Sequence, residues 1–341
     1  LNFQDRPREV LHAYRLTMLI TTTAVLAGVV CISLMVGTIR FSLEEVFGLF
    51  LGKDQEGLIR QIILNIRLPR ILTGLFVGMN LAVSGVLLQG IIRNPMASPN
   101  IIGVNAGAGL AAVVIMALFP GQIGAIPPAS FVGALGATFL IYVLANTSGG
   151  GGTVYIVLAG IAISNLMNAV TSALMMIHSD ILEVTYSWLL GSLSGRSWTA
   201  VSSVWPYSAG ALAAALAISP KMNLFGLGDE VAMSVGLSVR SYRLFAMLTA
   251  AVLAGSAVSV SGTIGFVGLI APHTARLLIG NDHRYSVPLS ALLGAILLIA
   301  SDTIARTIFQ PVELSVGIIT SIFGAPFFLF LLYKRRKDLR R

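Results

Sequence analysis

The chain has 341 residues, of which 56% are hydrophobic and only 11% charged, with a mean hydropathy of +0.87 and a formal net charge of +8. A water-soluble globule carries roughly 25% charged residues, so this composition excludes one and predicts a chain folded in lipid. The basic excess does not predict a nucleic-acid surface either, because the Lys and Arg residues fall in tails and connections rather than on one soluble face.

Hydrocarbon about 30 Å thick needs roughly 20 apolar residues per helix. Ten runs approach that length, at residues 16–37, 71–92, 101–119, 129–146, 154–177, 200–218, 244–260, 262–280, 287–305 and 314–333. Spanning strands would alternate in polarity over about ten residues, and these runs do not. The expected fold class is therefore an all-α polytopic membrane protein of about ten transmembrane helices, forming a single domain over residues 1–341. With the N-terminus inside, about 15 of the 22 Lys and Arg residues fall on the cytoplasmic side, so both tails are expected in the cytoplasm. The exception is the stretch from Arg40 to Arg70, which carries five basic residues on the outer side. The lone Cys31 lies within the first run, so no intrachain disulfide is available. That run is too long for a signal-peptide core and is read as a retained helix.

Residues 1–15 are a polar lead-in, and after the first run residues 41–50 form a short amphipathic segment with Glu44 and Glu45, followed by a polar turn at 52–57. Pro69 suits the first turn of the second span, with Arg67 and Arg70 at the water boundary. Those arginines read either as snorkelling anchors or as sites for a carboxylate-bearing partner. Gly74/Gly78 and Gly103/Gly107 have close-packing spacing. Pro95 and Pro99 forbid a continuous helix after Gln89, which leaves Asn94 and Met96 either in a cytoplasmic constriction or in a plain inter-helix turn. The glycine run 149–152 lacks the Lys-Ser/Thr ending of a phosphate loop and reads as a hinge. Residues 178–196 are expected along the outer surface, with Tyr186, Trp188 and Trp198 in the interfacial belt.

The polar interruption at 220–243 has its own local grammar. Asp229 is expected to cap a short helix through Glu230 and Val235, Gly236 to end it in the left-handed conformation, and Ser238 to cap the next helix. This helix–turn–helix is either a solvated connection or a surface offered to another protein. The order Arg70, Ser84-Gly85, Arg93, Pro95 is echoed by Arg243, Ser261-Gly262, Pro272, Arg276, which points to an inverted repeat. His273 and His283 lack carboxylates or thiols at ligand spacing, so structural roles and no metal are expected. Asp302 and Arg306, four apart, are expected to pair near the outer end of their span without deep burial.

Taken together, Arg67-Leu-Pro-Arg70, Ser84-Gly85 with Gln89, Asn94-Pro-Met-Ala97, Gly103-Val-Asn-Ala-Gly-Ala108, Leu158-Ala-Gly160, Gly228-Asp-Glu-Val-Ala232 with Gly236, Gly265-Phe-Val-Gly-Leu-Ile-Ala-Pro-His273, Asp282-His-Arg284 and Gly317-Ile-Ile-Thr-Ser-Ile-Phe-Gly-Ala-Pro-Phe327 resemble the FecCD family. These are permeases of binding-protein-dependent ABC importers for iron siderophores, haem and cobalamin. The resemblance implies a cobalamin-permease-like ten-helix subunit in the bacterial cytoplasmic membrane. Its partners would be a second permease (a copy or a paralogue), two ATPases carrying the ATP and Mg, and an extracytoplasmic binding protein. No cofactor is then expected on this chain. It further implies that Arg67, Arg70 and Arg306 receive the binding protein. Gly228, Asp229, Glu230, Ala232 and Gly236, in coupling helices over about 226–241, would dock the ATPase. Asn94, Met96 and Thr153 would be gate positions. Ser315 departs from the family's usual proline, so the short helix before the last span is expected to differ, and Met96 replaces a usual leucine. An iron siderophore is the expected cargo, with cobalamin or haem as alternatives. An ion-coupled transporter should carry more intramembrane acids or bases than Asp302 alone, and no catalytic dyad lies within the spans.

Overall fold

The computed structural model describes residues 8–51, 57–147 and 153–338. The glycine run 149–152 read as a hinge lies outside the described residues. Helix α1 (Arg8–Met35) is followed by α2 (Leu43–Phe50), α3 (Gly57–Gln61) and α4 (Leu68–Ile92). Then come α5 (Val104–Leu118), α6 (Ile126–Thr147), α7 (Thr153–Ile177), α8 (Leu182–Leu189) and α9 (Trp198–Phe225). The last five are α10 (Asp229–Ser234), α11 (Val239–Ser261), α12 (Val267–Ile279), α13 (His283–Ala305) and α14 (Val316–Asp338). Among the described residues there is no strand. The ten predicted runs fall on α1, α4–α7, α9 and α11–α14. Seven helical stretches are long and apolar enough to span a bilayer, while α5, α12 and the apolar part of α14 are shorter.

Local sequence explains the ends of these elements. Ser42 and Glu45 form a reciprocal capping box that starts α2. Pro69 stands in the first turn of α4 as expected, but the helical stretch begins earlier than the predicted span: α3 runs through a π turn (Ile62–Arg67) directly into α4. In that turn Leu68 donates its N–H to Ile63 O, so the corresponding donor for Leu64 O would be Pro69, which has none. The vacant Leu64 carbonyl instead accepts from Trp198 Nε1 at 3.0 Å. A second correction concerns Pro220, which lies inside α9; the polar interruption begins only after Phe225. The connection 306–315 is turn rather than a short helix.

At the centre α4 and α11 pack side by side. The most extensive contact of α4 is with α13, and α11 packs in the same manner on α6. Likewise α5 packs on α6 as α12 does on α13, and α7 and α14 each close the outside of their own group. Exchanging α4–α7 with α11–α14 maps this pattern onto itself. The direction is inverted: Leu193 touches Gly74 near the start of α4, while Ser192 donates its N–H to Ser261 O at the end of α11, at 2.7 Å. Both short helices, α5 and α12, are entered through left-handed residues, Gly103 (φ 75°) and Phe266 (φ 66°). Broken helices at corresponding places in two inverted halves are a transporter architecture.

Backbone contact holds the halves together. A Cβ on Gly78 would lie 2.4 Å from Gly294 O, and one on Gly294 2.3 Å from Gly78 O. A second glycine crossing, of α5 on α6 within one half, uses Gly107 and Gly133 at 2.3 and 2.4 Å. Such approach is how helices gain packing energy in lipid, where apolar burial alone supplies little. Between α4, α9 and α11, the buried Asn80 amide donates to Ser208 Oγ (2.7 Å) and Ser256 Oγ (3.1 Å). By contrast α7 is largely uncovered, burying only Ile156, Gly160 and Thr171.

Candidate functional site

Two polar clusters sit at opposite ends of this bundle. At the end where α4 begins, the arginines predicted as a docking set come together, but none is a free arm: Arg67, Arg70 and Arg306 are 5%, 7% and 5% exposed. Arg70 makes a fork-to-fork contact with Asp302, Nε–Oδ2 and Nη2–Oδ1 both at 2.9 Å, and its Nη1 reaches Glu313 Oε2 at 2.9 Å. Arg67 donates to the carbonyls of Leu34 at the end of α1 and of Ile39 in the connection that follows, and lies 4.6 Å from the Phe41 ring centroid. Arg306 donates to Ser33 O and to Ser33 Oγ, the latter at 2.8 Å. A buried guanidinium needs partners for its donors, and carbonyls, a hydroxyl and two carboxylates supply most of them here, while the Arg306 Nε is buried with no partner.

The expected Asp302–Arg306 pair does not form. Asp302 is 3% exposed and turns across the bundle to Arg70, because the α4–α13 crossing brings that guanidinium into bidentate reach. Glu313, which sequence reasoning passed over, lies outside the spans and completes the cluster. Burial pushes its carboxyl up, but Arg70 and hydrogen bonds from Ser194 and Arg70 outweigh that and hold it below the usual glutamate value. No periodicity marks Glu313, and only the fold brings it to Arg70.

At the opposite end, α10 projects between α9 and α11. Gly228 (φ 106°) precedes it and Gly236 (φ 83°) follows it, so both glycines are used for backbone conformations that side chains disfavour. Asp229 is the first helical residue rather than the cap. Its carboxylate leaves the helix and bridges two arginines, Arg93 at the left-handed end of α4 and Arg243 Nη2 in α11, the latter at 2.7 Å. Ala232 is fully buried and seats α10 on the bundle, and Glu230 points to water. Leu227, Val231, Met233 and Val235 are 62%, 46%, 55% and 61% exposed. Exposed apolar side chains on and beside a short helix that is held by its acidic end form a patch built to be covered.

The predicted gate residues sit close to this end. Asn94 Oδ1 accepts the N–H of Met96 at 2.9 Å, which folds the 94–97 turn, and Met96 is 45% exposed. Thr153 opens α7, after the undescribed residues. The buried Gln89 ties the turn to α12, donating to Ala97 O (3.2 Å) and Gly268 O (3.0 Å) and accepting from Arg276. His283 contacts Asn223 Oδ1 at 2.8 Å, and His273 lies edge-on to Phe327. Among the described residues no group of His, Cys, Asp and Glu could hold a metal ion.

The geometry matches known proteins across the whole bundle. The chain is 42% identical over 275 residues to the Fe(3+)-citrate import system permease protein YfmD of Bacillus subtilis, covering 81% of this chain and 82% of that one. It is 43% identical over 274 residues to the cobalamin import system permease protein BtuC of Halobacterium salinarum, covering 80% and 74%. Its fold superposes with a TM-score of 0.85 and 30% identity on a metal-chelate type ABC transporter in an inward-facing conformation, covering 93% of this chain and 99% of that one. A model of the FecCD transport family matches residues 25–334, and the chain belongs to that family as a multi-pass membrane permease.

Proposed function

We propose that this permease carries an iron chelate of the siderophore class inward across the bacterial cytoplasmic membrane, driven by ATP and Mg on two separate ATPase subunits. The observation that carries the reading is α10 and its flanks: exposed Val231 and Met233 on the helix, with exposed Leu227 before it and Val235 after it, beside an Asp229 tied to Arg93 at the end of α4 and to Arg243 in α11. An ATPase gripping Leu227, Val231, Met233 and Val235 pulls on those two helices through one carboxylate. Gly228, Glu230, Ala232 and Gly236 shape and seat that grip. The α10 end is then cytoplasmic together with both termini, and the Arg70 end faces outward.

At the outer end Arg67, Arg70 and Arg306 form the floor on which the extracytoplasmic binding protein docks. Their three guanidiniums are opposed by the carboxylates of Asp302 and Glu313, so the floor stays net positive while the individual side chains are engaged. A second permease subunit, a copy or a paralogue, covers helices such as α7 that this chain leaves bare. Asn94, Met96 and Thr153 border the cytoplasmic exit. Relatives named for ferric citrate and for cobalamin have similar identity to this chain, so cobalamin or haem is the second cargo reading.

The test is uptake into proteoliposomes that hold the permease, its ATPase and its binding protein. The expected result is accumulation of a ferric chelate that requires ATP and stops when the ATPase is left out. Accumulation driven by an ion gradient without nucleotide overturns the proposal.

A further inference from the structure

Of the half-buried or buried arginines at the outer end, Arg67, Arg70 and Arg306 each donate to carbonyls, a hydroxyl or carboxylates, and a fourth does not. Arg196, in the loop between α8 and α9, forms no ion pair or side-chain hydrogen bond among the described residues, and its Nε is buried with no partner. Burial alone lowers its affinity for its proton, with no acid nearby to offset that. A half-buried guanidinium with a partnerless buried Nε and no anion beside it is a place where a carboxylate ligand gains charge-assisted hydrogen bonds. Arg196 lines a cleft of about 460 Å³ between α5, α6, α8 and α11, with Met116, Trp188, Ser192 and Ser259 on its walls. The Ser192 hydroxyl accepts from Ser194 N at 3.1 Å, which leaves its own O–H to donate into the cleft. Glu183 also borders the cleft, but it is exposed and unpaired with Arg196, where water and salt screen it.

We propose that this cleft is an entry site for anionic cargo, in which Arg196 takes a carboxylate of an incoming metal chelate. The proposal rests on the reading of the chain as a chelate permease and narrows it to carboxylate-bearing chelates. Neutral hydroxamate chelates offer no carboxylate for an ion pair, only weaker neutral acceptors. The volume suits a compact polycarboxylate complex, and the aromatic wall of Trp188 gives its apolar edge a surface. The neighbouring loop residue Ser194 hydrogen-bonds Glu313, so the site adjoins the docking floor at the point where cargo is handed over.

Trp188 supplies the readout. The full chain in nanodiscs without anionic lipid, in a Trp198→Phe/Trp205→Phe background, is titrated with gallium(III) citrate while Trp188 fluorescence is followed. A saturable change is expected, weakened about 10–100-fold in Arg196→Gln, the loss matching charge-assisted hydrogen bonds, and less in Arg196→Lys. A neutral gallium trihydroxamate is expected to give no saturable change. Thermal melting of Arg196→Gln at the wild-type temperature separates lost binding from lost folding; if it melts early, protection of Arg196 in the background chain from phenylglyoxal by gallium citrate decides instead. No saturable response, equal affinity in Arg196→Gln, or equal binding of the neutral chelate overturns the proposal. Such a failure leaves ATP-dependent uptake of some other chelate intact, whereas failure of the permease reading removes uptake altogether.

Discussion

Replacing Asp302 with Asn tests whether the outer arginine cluster is part of the architecture or a set of free arms. Asp302 and Arg70 are 3% and 7% exposed and share two 2.9 Å contacts, so the substitution leaves a guanidinium in a dry site with one of its two carboxylates missing. Removing one partner of a buried pair costs about 3–5 kcal/mol. Glu313 still holds Nη1, which puts the expected loss near the lower bound, about 3 kcal/mol or roughly a hundredfold in the folded-to-unfolded ratio. The assay is reversible unfolding of the purified chain in mixed micelles. The same measurement on Arg70→Met/Asp302→Leu is expected to recover most of the loss, since the charge it leaves behind is the Glu313 carboxylate, which is partly exposed and can be solvated. If Asp302→Asn is as stable as the wild type, the pair does no structural work and the reasoning fails.

Asp229→Asn is expected to lower ATP-dependent uptake at least about tenfold while the ATPase still co-purifies, because the apolar face of α10 remains and only its ties to Arg93 and Arg243 weaken. Loss of ATPase binding in that variant would place Asp229 in the contact itself. Gly78→Ala is expected to destabilise by about 1–3 kcal/mol, since its Cβ would lie 2.4 Å from Gly294 O. Gly136→Ala, with nothing within 4 Å, is the silent control in the same melt. Because Glu313 is held below its ordinary value, its contribution is full at neutral pH and is lost as pH falls through that lowered value. A stability profile against pH should show this acid loss in the wild type and a smaller one in Glu313→Gln.

The ten helices were legible because each is a long apolar run, and the inverted repeat was visible in the Arg70/Arg243 echo. Gly236 and the paired prolines 95 and 99 were legible because backbone geometry is written locally. Partnerships were not. Asp302 and Arg306 at i,i+4 spacing suggest a pair, yet the α4–α13 crossing offers Asp302 a bidentate partner and sends Arg306 to Ser33 on α1. Asp229 looked like a cap for the same reason, since nothing along the chain announces that Arg93 will be delivered beside it. Pro69 was legible as a first-turn residue of α4, but neither the π turn before it nor the Trp198 Nε1 that takes up the carbonyl left without a donor was.

The bare side chains of Leu227, Val231, Met233 and Val235 also bear on how a cell must make this subunit. An unassembled copy displays a sticky knob in water that its lipid-buried spans cannot shield, and such a knob invites chaperones, proteases or self-association. Synthesis without its cytoplasmic companion is therefore expected to yield short-lived protein, and balanced co-production to prolong its lifetime.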